Sequence, residues 1–338
     1  MSQPLIHNGR PQLGVLSQPP SRVNFLDFDY RSPMGKRRAN WRKKWAFHQF
    51  QYFGVISEQL IGGCALADLR WSTVGFFYLY QPSTGQRIEK RLKLPLGLAS
   101  RFSKVPDNGV CEIAAAGVRM RLENHSAGRR KRLLVELADG TRMDAWFSEE
   151  QHQFNPMCIC TRAAVNGWVY AQKVAGVPCE GQVSSALGEF DLAAIGAYAH
   201  HDWSAGFMRR ETWWNWACTS GLADGVAVGF NLSCGVNETS ITENCYWLDG
   251  QLHKVDGCFF EFDQDDVLKP WRVHSADGQV ELSFTPAGMH GEQVNALLVA
   301  SRFKQIFGRF NGVLKPKDGR SVQLKEFWGF VEDQYAKW

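Results

Sequence analysis

The sequence predicts an all-β protein built as two antiparallel barrels in tandem. Asp-Gly dipeptides recur at Asp139-Gly140, Asp224-Gly225, Asp249-Gly250, Asp277-Gly278 and Asp318-Gly319, each with a strand-like run nearby. Asp-Gly suits the positive φ angles of a type I′ hairpin, so the series reads as an antiparallel meander. The chain is also rich in Gly (32), Trp (13) and Phe (22), which favours strands joined by tight turns. Many short strands must protect their edges, and closed barrels do so. A chain of 338 residues has room for two barrels of about eight strands each.

Residues 1–22 are polar and carry Pro4, Pro11, Pro19 and Pro20. They read as an extended arm without a core of its own. The start has no basic stretch followed by an apolar run, so it is not a secretory signal, and no window has the roughly 18 apolar residues of a membrane helix. Nine cysteines without a signal point to reduced thiols and a cytoplasmic setting. A net charge of +4 falls short of a nucleic-acid binder's basic footprint.

The first barrel is expected over residues 23–196. It opens on Lys36, Arg37, Arg38, Arg42, Lys43 and Lys44, with Trp41 and Trp45 between and after them. The preferred reading is a solvated rim with the Trp rings tucked underneath; weak contact with a membrane surface is the other. Val74–Tyr80 is apolar throughout, Val110–Ile113 is strand-like, and Val118–Leu122 alternates with a period of two, the mark of a half-buried strand. Cys158 and Cys160 share a face of a strand. They pack as small hydrophobes or chelate a soft metal, but no second pair stands at zinc-site spacing.

The second barrel is expected over residues 197–338. Its first third holds the densest chemistry: His200-His201-Asp202-Trp203-Ser204, Trp213-Trp214-Asn215-Trp216, Gly229-Phe230-Asn231-Leu232 and Thr242-Glu243-Asn244. Only one of His200 and His201 can point into a barrel, and a histidine there can exchange a proton near pH 7; the bland alternative is a core histidine. Trp214 and Trp216 share a face and form flat apolar walls that can steady a cation, or else fill core. Asn231 shares its face with Ala227, Gly229 and Ser233, small residues that leave space on a cavity side. Asn237 and Glu238 are polar and close by in sequence. Asp256-Gly257 reads as a bulge inside a strand. Val294, Leu297, Leu298 and Phe303 fall near helical spacing, so one short helix is expected within Glu292–Phe307.

There is no phosphate loop, dinucleotide fingerprint or nucleophile elbow. No cofactor and no metal are expected. The chain resembles the bacterial family catalogued as domain of unknown function 2804. The likeness runs through Trp214-Asn215-Trp216-Ala217, Gly229–Leu232, Glu243-Asn244, Pro270-Trp271, Gln305-x-Phe307-Gly308-x-Phe310-x-Gly312, Gly329-x-x-Glu332 and Trp338. More distantly it is similar to the carotenoid hydratase and AttH-like group, with its D-H-x-W-S and W-D-W segments. That resemblance implies two lipocalin-like (calycin-type) barrels and cofactor-free handling of polyenes or other large apolar molecules. His200 stands where that motif has Asp, and Asn215 replaces its acid; an amide cannot supply a proton.

The leading expectation is therefore binding or carrying of a lipid-like or apolar small molecule in an aromatic-lined barrel cavity. Trp203, Trp214, Asn215, Trp216, Asn231 and Asn244 are the candidate ligand contacts. The alternative is a cofactor-free lyase or isomerase, hydratase- or cyclase-like, with His201 as acid and base and Asp202 or Glu243 as carboxyl partner. A scaffold with every cavity filled is the third.

Overall fold

The computed structural model describes residues 3–236, 241–296 and 299–337, without the side chains of residues 296 and 299. Among these the chain forms one 14-stranded and one 9-stranded sheet, besides a two-stranded ribbon near the start. Every strand pair is antiparallel. Each large sheet curls over its own apolar core, giving the two lipocalin-like barrels expected.

Eleven strands and one helix frame the site. In the first sheet they are β1 (His48–Ile56), β2 (Ile61–Asp68), β3 (Ser72–Tyr80), β4 (Arg87–Pro95), β5 (Gly167–Ser185) and β6 (Tyr198–Gly206), in the order β4-β3-β2-β1-β6-β5. In the second they are β7 (Glu211–Ala223), β8 (Val226–Cys234), β9 (Val280–Ala296), β10 (Val299–Leu314) and β11 (Val322–Lys337), in the order β8-β7-β11-β10-β9. Helix α1 (Asn40–Ala46) precedes β1.

The five Asp-Gly turns all join paired strands. At Asp224-Gly225 and Asp249-Gly250 both residues have positive φ, +49° and +83°, then +46° and +81°, as a two-residue I′ turn requires. Asp256-Gly257 is not a bulge: it connects the strands Gln251–Lys254 and Cys258–Glu261, which occupy opposite edges of the second sheet.

Three further expectations are corrected. The segment from Glu292 to Phe307 is not helical but the end of the long β9–β10 hairpin; Leu297 and Leu298 lie outside the described residues. The N-terminal arm is not coreless. Leu5 and Ile6 are buried with Trp168 and Trp203, and Gly14–Leu16 pairs with the strand Met157–Ala163. Finally, β6 hydrogen-bonds to β1 and β5, so the sheets part between Gly206 and Glu211 rather than at residue 196. No helix among the described residues is long and apolar enough to cross a membrane.

The barrels pack outer face to outer face. Their lumens are filled by side chains: Phe53, Met120, Val135 and Phe147 in the first, Phe230, Trp271, Val273 and Phe310 in the second. Close approach needs small residues where β5 crosses β8. Gly176 sits in a bulge between Ala175 and Val177 at φ +94°, and Ser220 Oγ accepts its N–H at 2.9 Å. A Cβ on Gly229 would stand 2.1 Å from the main-chain carbon of Ala175. Backbone cannot yield as a side chain can, so Gly229→Ala should destabilise the protein by roughly 1–3 kcal/mol. Urea unfolding measures this; an unchanged midpoint would contradict the crossing.

Candidate functional site

A cavity of about 590 Å³ lies in the seam between the two sheets, not in either lumen. The first sheet contributes Phe50, Tyr52, Val74, Phe76, Val169, Lys173, Asp202 and Ser204 to its wall. The second contributes Trp214, Trp216, Ser233, Phe303, Glu332 and Gln334, with Glu243 from the loop before the next strand.

Strand alternation sets which residues enter. On β11, Glu332, Gln334 and Ala336 share one face and step from the inner end toward the mouth, roughly 13 Å at ~3.3 Å per residue. Beside them on β7 stand Trp216, Trp214 and Thr212, their register partners. Opposite, Lys173 of β5 pairs with Asp202 of β6, and Asp202 with Tyr52 of β1. The inner end is therefore polar and aromatic, while the middle, with Phe50, Val74 and Val294, is apolar.

The inner end holds a buried ionic cluster. Lys173 Nζ donates to Glu243 Oε1 at 2.6 Å and Asn231 Oδ1 at 3.1 Å, and meets Asp202 Oδ2 at 2.9 Å. It also lies 5.3 Å from the Trp216 ring centre. Burial alone would lower the Lys173 ammonium, but the Asp202 and Glu243 carboxylates outweigh it and raise it. Burial pushes the Asp202 carboxyl up, and Lys173 opposes the push. Ser204 Oγ donates to Asp202 Oδ1 at 2.8 Å. Asn231 knits the cluster by accepting from Trp216 Nε1 at 2.7 Å and donating to the Glu243 carbonyl at 3.1 Å.

Glu332 forms the second acid centre. Trp214 Nε1 donates to its Oε2 at 3.1 Å and Gln305 Nε2 to its Oε1 at 2.8 Å. Burial raises its carboxyl to about 7 against those two hydrogen bonds; Lys173 opposes the rise and Asp202 adds to it. Glu332 thus holds or releases a proton near neutrality. His290 continues the chain of contacts through Gln305 at 2.8 Å.

The sequence-derived candidates divide. Asp202, Glu243, Trp214 and Trp216 line the cavity, and Asn231 stands directly behind it. His201 does not enter. It points into the first barrel between Phe53 and Phe147, with Nδ1 3.3 Å from Glu149 Oε1, an approach whose geometry is not that of a hydrogen bond. His200 faces the seam but lies outside the cavity wall, 3.2 Å from Tyr52 OH, and burial lowers it to about 3. Trp203 is packed against Tyr170 under the N-terminal arm. Asn215 donates to the Glu332 carbonyl at 3.2 Å. Asn244 accepts from the Ser233 N–H and donates to the Asp256 carbonyl. These two amides hold strands and do not line the cavity. Asn237 and Glu238 lie outside the described residues. Lys173, Glu332, Gln305 and Tyr52 were not singled out as site residues; Gln305 and Glu332 stood only within the resemblance. Cys158 and Cys160 pack in the core beneath the arm, and no metal-binding group of three or more His, Cys, Asp or Glu forms among the described residues.

Removing one member of a buried ion cluster strands the others. Lys173→Met should therefore cost about 3–5 kcal/mol at pH 8. Without the ammonium the Asp202 carboxyl is raised further above its unfolded value. That contribution is present at low pH and lost as pH rises through the folded value, so the cost at pH 5 should be smaller. Urea unfolding at the two pH values checks this; a small, pH-independent cost would contradict the cluster.

Comparison with solved structures finds the same two-domain fold at low identity. The crystal structure of kievitone hydratase from Nectria haematococca aligns at TM-score 0.51 and 9% identity, over 85% of this chain and 88% of that one. CghA with Sch210972 aligns at TM-score 0.57 and 10% identity, over 98% and 96%. CghA alone gives TM-score 0.55 at the same identity and coverage. No curated protein matches. The sequence matches over residues 7–338 the family described as Domain of unknown function (DUF2804), and the chain belongs to that family.

Proposed function

We propose that this protein catalyses a cofactor-free proton-transfer reaction on a largely apolar molecule held in the seam, as a hydratase, dehydratase or cyclase does. The observation that carries the reading is Glu332, a carboxyl raised to about 7 at the inner end of a cavity whose middle is apolar. A pure carrier has no use for the buried Lys173, Asp202, Glu243 and Glu332 at its inner end, since burying charge costs free energy. The name of one structural neighbour, a hydratase, agrees with this chemistry.

In this reading protonated Glu332 gives its proton to a carbon–carbon double bond. The π pair forms the new C–H bond, and the Trp214 and Trp216 faces shelter the cationic carbon. Asp202 or Glu243, each paired with Lys173, then takes a proton from the adjacent carbon or from an adding water. The acid missing at Asn215 is thus replaced from the neighbouring strand, and His201 has no part. We place the protein in the cytoplasm, on the strength of a cysteine content, nine in 338 residues, that a reducing compartment keeps as thiols.

Carrying without turnover is the second reading, favoured by the apolar middle formed by Phe50, Val74 and Val294. A scaffold with filled cavities is opposed by the cavity volume. Incubation with an apolar cell extract in D₂O separates the first two. An enzyme should place deuterium in one extracted molecule, and Glu332→Gln should slow that by about 100-fold or more while the molecule still co-purifies. Co-purification without deuterium in either protein would establish the carrier.

A further inference from the structure

Beside the cavity mouth the protein exposes large apolar side chains that its own fold leaves uncovered. Trp41 and Trp45 of α1 are 58% and 51% exposed, and Leu96 and Leu98 are 66% and 62% exposed. The Trp rings are not tucked beneath a rim, as the sequence suggested. They stand four residues apart, on one face of the helix.

These side chains form one surface with the mouth. Trp71 lines the cavity and is itself 40% exposed. Its carbonyl accepts the Leu96 N–H at 3.0 Å. Trp45 and Leu96 line a shared crevice with Lys44 and Arg70. Arg70 ties that crevice to the end of α1 through the Phe47 carbonyl at 2.7 Å. The turn carrying the leucines is strained, with Leu96 at φ +53° and Ala99 at φ +50°. A left-handed conformation is strained for a non-glycine residue, and here it displays a leucine to solvent rather than to core.

The surroundings are basic. Lys36, Arg37, Arg38, Arg42, Lys43 and Lys44 fall within nine positions. Asp29 pairs with Arg37, and Asp68 with Arg70. Exposed Trp and Leu amid Lys and Arg suit the boundary between headgroups and acyl chains, where each cation near an anionic leaflet adds attraction.

We propose that this face docks on an anionic lipid bilayer, with Trp45, Leu96 and Leu98 entering the headgroup layer and the cavity mouth held against it. An apolar molecule then passes between bilayer and seam without crossing water. The proposal does not depend on any reaction in the seam.

The test is co-sedimentation of the full chain with phosphatidylcholine vesicles containing about one third phosphatidylserine, against phosphatidylcholine alone. Binding is expected to the anionic vesicles only, and to weaken with salt. The double variant Leu96→Asp/Leu98→Asp should lose at least about tenfold in partitioning, as apolar burial and charge repulsion both predict, with an unchanged thermal midpoint. Trp45→Ser gives a second reading if that variant does not fold. Failure to sediment, equal binding to neutral vesicles, or variants that bind like the parent would each overturn the proposal. So would a dimer in size-exclusion chromatography that the same substitutions dissolve, since the occupant would then be a second copy.

Discussion

One ammonium group, Lys173 Nζ, meets two carboxylates and an amide oxygen in a seam where little water reaches. The rest of the site depends on that arrangement. Three acceptors on three separate segments must converge on it, so β5, β6 and β8 are fixed relative to one another across the two barrels. The cluster is costly to bury and costly to break. It is tolerated because the seam is built to admit it: small residues at Gly176 and Gly229 let the sheets touch at one end, and the sheets then diverge enough to leave a chamber.

The first barrel contains a second buried acid cluster that makes a useful contrast. Glu149 is also raised to about 7 by burial, with Lys131 opposing, and Arg129 Nε donates to it at 3.1 Å. No wall residue of the seam cavity belongs to this group. A raised carboxyl alone therefore does not mark a site. What distinguishes Glu332 is that its carboxyl opens on a cavity large enough for a substrate.

Much of the fold was legible because Asp-Gly chemistry announces a hairpin before any tertiary contact is known. Trp214 and Trp216 were legible as a shared face for the same local reason. The choice between His200 and His201 was not. β6 is buried on both faces, one toward the first lumen and one toward the seam, so alternation carries no inside–outside signal. Lys173 was invisible for a different reason: its partners Asn231 and Glu243 lie 58 and 70 residues away, and no local pattern joins them. The false helix near Glu292 arose because one face of β9 and β10 borders the seam. Val294 and Phe303, two of the residues that suggested the helix, line the seam from the two paired strands of one hairpin, so their spacing in the sequence reflects that pairing.

The central claim is that Glu332 keeps its proton into the neutral range because its carboxyl is buried in the seam. Infrared difference spectroscopy reads this directly, as a protonated-carboxyl band followed against pH in the parent and in Glu332→Gln. The account predicts a band titrating near 7 that loses its Glu332 component in the variant and keeps the Glu149 component, which burial also raises to about 7. A band that vanishes in the ordinary carboxylate range, about pH 4 to 5, or one unaltered by the substitution, would contradict it.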